Sequence, residues 1–511
     1  MKTITTAFVL LFPIGPSLAA VQDFHTWAQS YGAGSNLADY YYGSGFDVPV
    51  GIAKLSDASI VVTGQLDLPE CQSGHTGDSA SGTLVRYAAT GGILWQKQLR
   101  INGLLGNCVT QNVFTFNDNI LVTGIKRPSA EGGGGVFLFV AKFDSSGKVL
   151  WQASPTQTST ALPNGQSTPI IAGTQLVSSS LTADGGIVAC SYSYTANNSH
   201  TNPAIIKISG IGKIEFIEAY EQQVTQYMNS SAVCQLHGLG GYAMALDYPV
   251  TAEATPSVAV LITNNSGGLK RKILIPNDSL VWGEHAVSIL SASNGDLVVL
   301  SNRSGNVDSG MILRRLRLDG TIVFAKYFPN TGMIPSTLTQ TNSGGFLIGG
   351  HCSVAINGIT TSDVALMKLS YAGVLQSFRT IGGPAQEPSN GNNGTNGDGT
   401  LIPTSDGGYA FAISTNSYIT GTQDKPDWWI GKTDATFHIQ NFTGPKANLP
   451  INGIIAQDQT SIAFPLSTFT AYPIPLLAGA PPNLVIKDLA AKTGGNKPTV
   501  QIQAVDSFVA P

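Results

Sequence analysis

The sequence predicts an all-β ring of four-stranded blades, a β-propeller, and three features of the chain predict it. The first is a turn followed by a short apolar run, seen as Asp184-Gly185-Gly186-Ile187-Val188-Ala189, Ser343-Gly344-Gly345-Phe346-Leu347-Ile348 and Asp406-Gly407-Gly408-Tyr409-Ala410-Phe411. The second is a hairpin phrase, Val140-Ala141-Lys142-Phe143-Asp144, a turn with Gly147, then Val149-Leu150-Trp151. The third is that no segment shows sustained helical periodicity with caps. The apolar run opens at Ile60, Ile120, Ile187, Tyr242, Leu297, Phe346 and Tyr409, a spacing of roughly 50 to 65 residues, near the long end of propeller repeats.

Each unit reads as four strands. A half-apolar first strand leads into a Gly-Gly or Asp-Gly turn, the hairpin signal that supplies positive φ. The apolar run is the second strand, and a connection of variable length follows. The third strand carries a basic residue five positions before a turn glycine, at Arg86/Gly91, Lys142/Gly147, Lys207/Gly212, Arg315/Gly320 and Lys368/Gly373. Lys432 holds that place where the glycine is lost, and the fourth repeat has Thr263 before Gly268. The fourth strand carries an aromatic four positions after the glycine, at Trp95, Trp151, Phe216 and Phe324, with Phe378 one later. One such unit cannot bury both faces alone, and stacking in a ring does so.

Seven blades over 50–442 are plain, and the pattern favours an eighth over 443–490, with a seven-bladed ring as the alternative. In the eighth, Ile454-Ile455-Ala456, Ser461-Ile462-Ala463-Phe464 and Asn483-Leu484-Val485-Ile486-Lys487 would be strands. Its outer strand would come from the N-terminal arm, 20–49, where Trp27-Ala28-Gln29-Ser30-Tyr31-Gly32 repeats the pattern of Leu94-Trp95-Gln96-Lys97-Gln98. Such closure removes open sheet edges. The competing outer strand is Val500-Gln501-Ile502-Gln503 in the tail, 491–511, which would leave Trp27 in a leading arm.

Composition narrows the function classes. Charged residues are 11% of the 511, apolar residues 42%, and the formal net charge is −4. The charged share is less than half the typical quarter. The two basic runs, Leu269-Lys270-Arg271-Lys272 and Arg314-Arg315-Leu316-Arg317, form no coherent face, which argues against nucleic acid as a partner. Met1-Lys2, the apolar stretch Ala7 to Ile14 and Ser17-Leu18-Ala19 read as a signal peptide over 1–19. With no further apolar stretch of spanning length, we expect no transmembrane segment and a secreted or cell-surface product, the periplasm being the other compartment.

Five cysteines in an exported chain imply one or two disulfides. The favoured pair is Cys71–Cys108, whose loops emerge on the same face. Cys190 and Cys234 either pair between blades or are buried thiols, and Cys352 is left over. No C-x-x-C spacing supports a metal, and the seven histidines are scattered with no zinc spacing.

Phe139-Val140-Ala141-Lys142-Phe143-Asp144-Ser145-Ser146-Gly147-Lys148-Val149-Leu150-Trp151 and Thr404-Ser405-Asp406-Gly407-Gly408-Tyr409 resemble the repeats of secreted bacterial β-propeller proteins. In these a Gly-Gly-Tyr strand alternates with a Lys-x-Asp-x-x-Gly-x-x-x-Trp hairpin. The resemblance covers about residues 50 to 440, is specific for a blade, and implies surface or secreted binding modules. A lesser likeness is to quinoprotein dehydrogenase blades, which use adjacent cysteines and a calcium site. This chain has no Cys-Cys pair.

No catalytic residue, cofactor or metal site is expected. Ser145-Ser146-Gly147-Lys148 and Lys492-Thr493-Gly494 match the S-x-x-K and K-T-G patterns of penicillin-recognising enzymes, but that serine must open a helix and Ser145 lies in a hairpin turn. Asn390 to Asp398 offers one carboxylate where a calcium cage needs several. Trp428 and Trp429 alternate across a strand and read as packing on both faces. Tyr40-Tyr41-Tyr42, before blade one, also reads as structural.

Variable loops on a rigid ring carry function in such folds. The longest are Leu66–Gly82, Pro155–Gly173, His351–Ser362 and Gly382–Gly399, and Asp67, Glu70, His75 and Asp78 make the first the most polar and the candidate ligand-binding site. The reading is a non-catalytic binding module for extracellular proteins or glycans, a second copy of itself included. The alternatives are a structural subunit of an extracellular fibre, sheet or surface layer, and a hydrolase or lyase with its site at the channel mouth.

Overall fold

A computed structural model describes residues 26–32, 48–67, 80–101, 108–126, 137–154, 178–194, 201–222, 229–238, 240–248, 257–275, 283–304, 310–329, 333–356, 359–381, 400–415, 427–439, 446–447, 457–458, 464–465, 469–473, 484–488 and 499–505. The N-terminal strand is β1 (Trp27–Gly32). Blade one is β2 (Val48–Lys54), β3 (Ile60–Asp67), β4 (Ala80–Tyr87) and β5 (Ile93–Ile101); blade two is β6 (Cys108–Phe116), β7 (Asn119–Lys126), β8 (Phe137–Phe143) and β9 (Val149–Ala153). Blade three is β10 (Ser178–Leu181), β11 (Ile187–Tyr194), β12 (Thr201–Ile208) and β13 (Ile214–Gln222); blade four is β14 (Asn229–Gln235), β15 (Tyr242–Tyr248), β16 (Ser257–Thr263) and β17 (Leu269–Ile275). Blade five is β18 (Gly283–Ser291), β19 (Leu297–Ser304), β20 (Gly310–Leu316) and β21 (Ile322–Pro329); blade six is β22 (Met333–Gln340), β23 (Phe346–Ile356), β24 (Ile359–Leu369) and β25 (Leu375–Ile381). Blade seven takes β26 (Thr400–Pro403), β27 (Tyr409–Thr415) and β28 (Asp427–Thr433) from this part of the chain and β1 as its fourth strand.

The ring therefore has seven blades, and the favoured eighth gives way to the alternative. The N-terminal strand closes the ring as expected, but inside blade seven: Trp27 lies opposite Lys432 and Tyr31 opposite Trp428. The segment expected to form an eighth blade supplies added fifth strands instead. In chain order β29 (Lys446–Ala447) joins blade six, β30 (Gln457–Asp458) blade five, β31 (Phe464–Pro465) blade four and β32 (Phe469–Pro473) blade three. Then β33 (Leu484–Asp488) joins blade one and β34 (Thr499–Val505) joins blade seven, outside β1. The added strands thus join the blades in the reverse of chain order, six, five, four, three, one and seven. Neither reading of the ends holds as made: with no eighth blade to close, the strand of Trp27 completes blade seven rather than lying in a leading arm, and the strand containing Val500 to Gln503 lies outside it as an added fifth strand.

Packing confirms closure. Each of the seven gaps between blades holds its own apolar core, and the gap between blades seven and one is filled by Trp27, Tyr31, Trp428 and Ile430 against Ile52, Ile60, Val85 and Tyr87. Trp429, on the opposite face of its strand, packs with Phe411 in the gap towards blade six. Trp428 and Trp429 are both fully buried, as expected of a strand covered on both faces.

The repeated basic and aromatic residues fasten blade to blade. The basic residue of the third strand reaches back to the aspartate of its own first turn: Arg86 to Asp57 at 2.7 Å, Lys207 to Asp184 at 3.0 Å, Arg315 to Asp296 at 2.6 Å and Lys432 to Asp406 at 2.5 Å. It also reaches forward to a turn carbonyl of the next blade, Arg86 to Ser145 at 2.6 Å and Lys142 to Gly210 at 3.1 Å. The fourth-strand tryptophan donates its indole N–H to that same carbonyl, Trp95 to Ser145 and Trp151 to Gly210, each at 3.0 Å. Trp27 does the same to Ala89 at 3.0 Å, which identifies it chemically as the fourth-strand aromatic of blade seven. The carbonyls of Ser145 and Gly210 each accept two donors in a partly buried setting, where an unmet donor would carry a cost. The turn glycine leaves room for the ring: a Cβ on Gly91, whose φ is +93°, would stand 2.9 Å from Trp27.

Three local expectations are corrected. In blade four the left-handed turn residue is Gly267 (φ 85°), so the basic position falls on Ile262, opposite Arg271. Arg271 takes over the forward contact, donating to the carbonyl of Asp319 at 2.8 Å. In blade seven the lost glycine is replaced by Phe437, which holds the left-handed conformation itself (φ 62°), buried and packed against Tyr409 with ring centroids 4.8 Å apart and the planes tilted by 38°. The expected loop His351–Ser362 is a hairpin: β23 and β24 stay paired from Phe346↔Leu369 to Ile356↔Ile359.

Candidate binding face

The two ends of the ring differ. On one, the first and third strands of the blades end in short turns, nearly all closed by the same pair of backbone hydrogen bonds, such as Asp144 N–H to Lys148 O and Gly147 N–H to Asp144 O. The opposite end carries the connections between second and third strands and between blades, and these are unequal, from 357–358 to 154–177. A rigid scaffold with variable connections at one end is the arrangement in which loops acquire recognition.

Asp67 is the last residue of β3, opposite Ala80, so it stands where the segment 68–79 leaves this face. Glu70, His75 and Asp78 lie outside the described residues, as does Cys71. Cys108 opens β6, and the strands flanking the two segments lie side by side, with Thr110 Oγ1 donating to the Gly64 carbonyl at 2.9 Å. The Cys71–Cys108 pairing itself falls outside the described residues. The less favoured Cys190–Cys234 disulfide is absent. Both are buried thiols, as is Cys352, and burial pushes Cys234 up to about 12 and Cys352 to about 11. Thiols so shifted are poor nucleophiles and poor metal ligands at neutral pH.

The same face carries a polar group that sequence reasoning did not single out, between blades four and five. Glu284 near the start of β18 and Arg314 in β20 are fully buried and paired through both guanidinium nitrogens, Nη2 lying 2.9 Å from Oε2 and Nη1 contacting Oε1. Ser301 donates to Glu284 Oε1 at 2.5 Å. Arg303, opposite Glu284 across the strand pair, lies over the Tyr327 ring at 5.3 Å. At the rim of this group Asp247, from β15 of blade four, accepts from the Ala286 N–H at 2.7 Å and meets His285 Nδ1 at 2.8 Å. That hydrogen bond raises the pKa of His285, against the opposing effect of burial. His285 is half-exposed. The missed signal is Arg314 itself, a charge between buried Ile312 and Leu316 on one face of the strand, beside the repeat's own Arg315. Among the described residues no group of three or more His, Cys, Asp and Glu side chains is placed to hold a metal ion.

No protein-family model matches the sequence, and no curated protein matches it. Solved structures resemble it distantly. A protein of unknown function from Dyadobacter fermentans aligns at 11% identity and a TM-score of 0.39, covering 76% of this chain and 96% of that one. An α-L-arabinofuranosidase from Fusarium graminearum aligns at 12% identity and 0.39, covering 68% and 98%. The polysaccharide lyase Uly1 aligns at 9% identity and 0.33, covering 77% and 98%. Likeness of this size carries no argument about chemistry, and the fold rests on the strand pairing described above.

Proposed function

We propose that the chain is a secreted or cell-surface binding module that recognises a neutral glycan or protein surface through the end of the ring bearing the unequal connections. The observation that carries this reading is the contrast between the two ends, one built from repeated turns and the other from connections of very different length anchored on rigid strand ends. The chemistry of two of those connections supports a neutral partner. Residues 154–177 contain no charged side chain and are dense in Ser, Thr, Gln and Asn, and 195–200 read Thr-Ala-Asn-Asn-Ser-His. Such segments recognise by hydrogen bonding and shape, with little electrostatic steering. Meanwhile the repeated Lys, Arg and Asp pairs are engaged in holding blades together.

The test is a glycan array and an affinity capture against surface proteins, run with the mature chain and with a variant in which 155–177 is replaced by a Gly-Ser linker of equal length. The reading expects a saturable ligand that the variant loses while its melting temperature is kept. A ligand bound equally by both proteins, or through the short-turn end, would refute it. The hydrolase alternative would rest on His285 and Asp247, and turnover of a polysaccharide panel that His285→Ala abolishes would favour it instead.

A further inference from the structure

The apolar core between blades two and three ends, towards the face with the unequal connections, in a group of neutral polar side chains. Leu121 of β7, Ala189 of β11 and Ile206 of β12 belong to that core. Alternation along a strand puts residues two and four positions away on the same face, so Thr123, Ser191 and Asn202 also face this gap. Ser179 of β10 lies opposite Ala189 and joins them. All four are buried, and the Thr123 and Ser179 hydroxyls share a hydrogen bond across the gap at 3.0 Å. On β6 the register shift after Thr110 leaves Gln111 in a bulge, where it and Asn112 together oppose Thr123. None of these side chains is charged, whereas the gap between blades four and five holds Asp247, His285, Glu284 and Arg314 at this end.

Two acceptors in this group are unmet. Among the described residues two carboxamide oxygens are buried without a hydrogen-bond donor, Asn202 Oδ1 and Gln111 Oε1, and they belong to blades three and two. A buried acceptor left without a donor carries the desolvation cost of the group with nothing to offset it. The neighbouring gap shows how the fold avoids that cost. There the Thr63 hydroxyl donates to the Thr83 carbonyl at 2.8 Å and the Thr110 hydroxyl to the Gly64 carbonyl at 2.9 Å. Asn202 is the second residue of β12, so it stands where the connection 195–200 enters the strand, and Ser179 is the second residue of β10, where 154–177 enters. These are the two neutral connections of the binding face.

We propose that this end of the gap between blades two and three is a subsite for a neutral saccharide, whose hydroxyls donate to the carboxamide oxygens of Asn202 and Gln111. The proposal rests on the reading that this face is the recognition surface, and it commits that reading to a saccharide and to a place. A sugar hydroxyl donates one hydrogen bond and accepts others, so it can meet a bare carboxamide oxygen and still accept from a neighbouring serine or threonine. The neutral wall suits an uncharged ring. A uronic acid would bring a carboxylate, which only accepts, towards oxygens that also only accept. Such a site is selective as well, because a ligand lacking the hydroxyl leaves the buried acceptor unpaired.

The experiment is isothermal titration calorimetry of the mature chain with neutral hexasaccharides of glucose, mannose and xylose and with an oligogalacturonate of equal length, combined with hydrogen exchange. A neutral saccharide should bind and slow exchange in peptides spanning Thr201 to Ile206 and Asn119 to Lys126, and the oligogalacturonate should not bind. Asn202→Leu and Gln111→Met remove the unmet oxygens at similar volume. Each should weaken saccharide binding by at least about tenfold, with a melting temperature equal to or above that of wild type. Thr63→Val, whose hydroxyl is already met within blade one, should keep the wild-type affinity. Affinity unchanged in both Asn202→Leu and Gln111→Met would mean that an ordered water alone meets these oxygens, and would overturn the proposal. So would a panel in which no neutral saccharide binds; a surface protein still captured by wild type and lost on replacing 155–177 would then keep the wider reading. Protection confined to the short-turn end would overturn both.

Discussion

Replacing Arg314 by methionine keeps most of the side-chain volume and removes the partner of a fully buried carboxylate. In the structure Glu284 and Arg314 are both inaccessible to solvent, and once the guanidinium is gone Glu284 retains one hydrogen-bond donor among the contacts described, the Ser301 hydroxyl. Removing one member of a buried pair costs about 3–5 kcal/mol, because the other charge is left desolvated. The pair itself is imperfect, since Arg314 Nε is buried without a hydrogen-bond acceptor among the described residues. The double variant Glu284→Met/Arg314→Met should therefore recover at least about 2 kcal/mol of the loss, as apolar replacements of buried pairs do. Equilibrium urea unfolding of wild type, both single variants and the double variant gives the cycle. An Arg314→Met variant within about 1 kcal/mol of wild type, or a double variant less stable than either single, would refute the reasoning that this pair is buried and coupled.

Trp27→Ala should cost about 3–5 kcal/mol, although the residue lies in an arm before the first blade, because its ring fills the gap between blades seven and one and caps the Ala89 carbonyl. Differential scanning calorimetry measures the loss, and a shift below about 1 kcal/mol would mean that β1 does not close the ring. Ala58, at φ 62° in the first turn of blade one, should gain up to about 1 kcal/mol when changed to glycine, whereas Phe437→Gly, at the same φ but buried on Tyr409, should lose stability in the same assay. Asp247→Asn should lower the pKa of His285, readable by NMR titration. A histidine whose folded pKa is raised stabilises the fold below its unfolded value, near 6.5, and that contribution is lost as pH rises through the folded pKa. The stability gap between wild type and Asp247→Asn should accordingly be widest under acid conditions and narrow above the folded pKa. For Asp184 burial works upward, but bonds from Thr182 and Lys207 hold it down at about 2. Its folded pKa is thus depressed, so its contribution is present above the unfolded value of about 4 and is lost as pH falls towards 2.

The sequence carried the blade almost completely because one chemical need recurs at a fixed place. A turn carbonyl must be met by the previous blade, so Arg86 and Trp95, Lys142 and Trp151, and Lys432 and Trp27 stand in the same cross-strand register. That rule made the likeness of Trp27 to Trp95 informative. The blade count was less legible, because a period of two marks a strand without naming its partner. Phe464 pairs with Leu274 and Leu484 with Ile101, choices that only the assembled ring makes. The hairpin of blade six was hidden for the opposite reason: Thr360-Thr361-Ser362-Asp363 reads as a loop yet continues β24. At the candidate face, Asp67 ends β3, and the pairing of Glu284 with Arg314 joins residues thirty apart across two strands and has no local signature.

The account depends most on closure of the ring within blade seven, where Gln29 faces Ile430 across β1 and β28. Directly opposed residues of an antiparallel pair lie within about 4.5–5.5 Å, a separation that a disulfide spans. Mass-spectrometric mapping of the oxidised Gln29→Cys/Ile430→Cys protein should recover a peptide linking positions 29 and 430 within one chain. Absence of that link under oxidising conditions, with position 430 joined instead to another segment or left as a thiol in the folded protein, would contradict it.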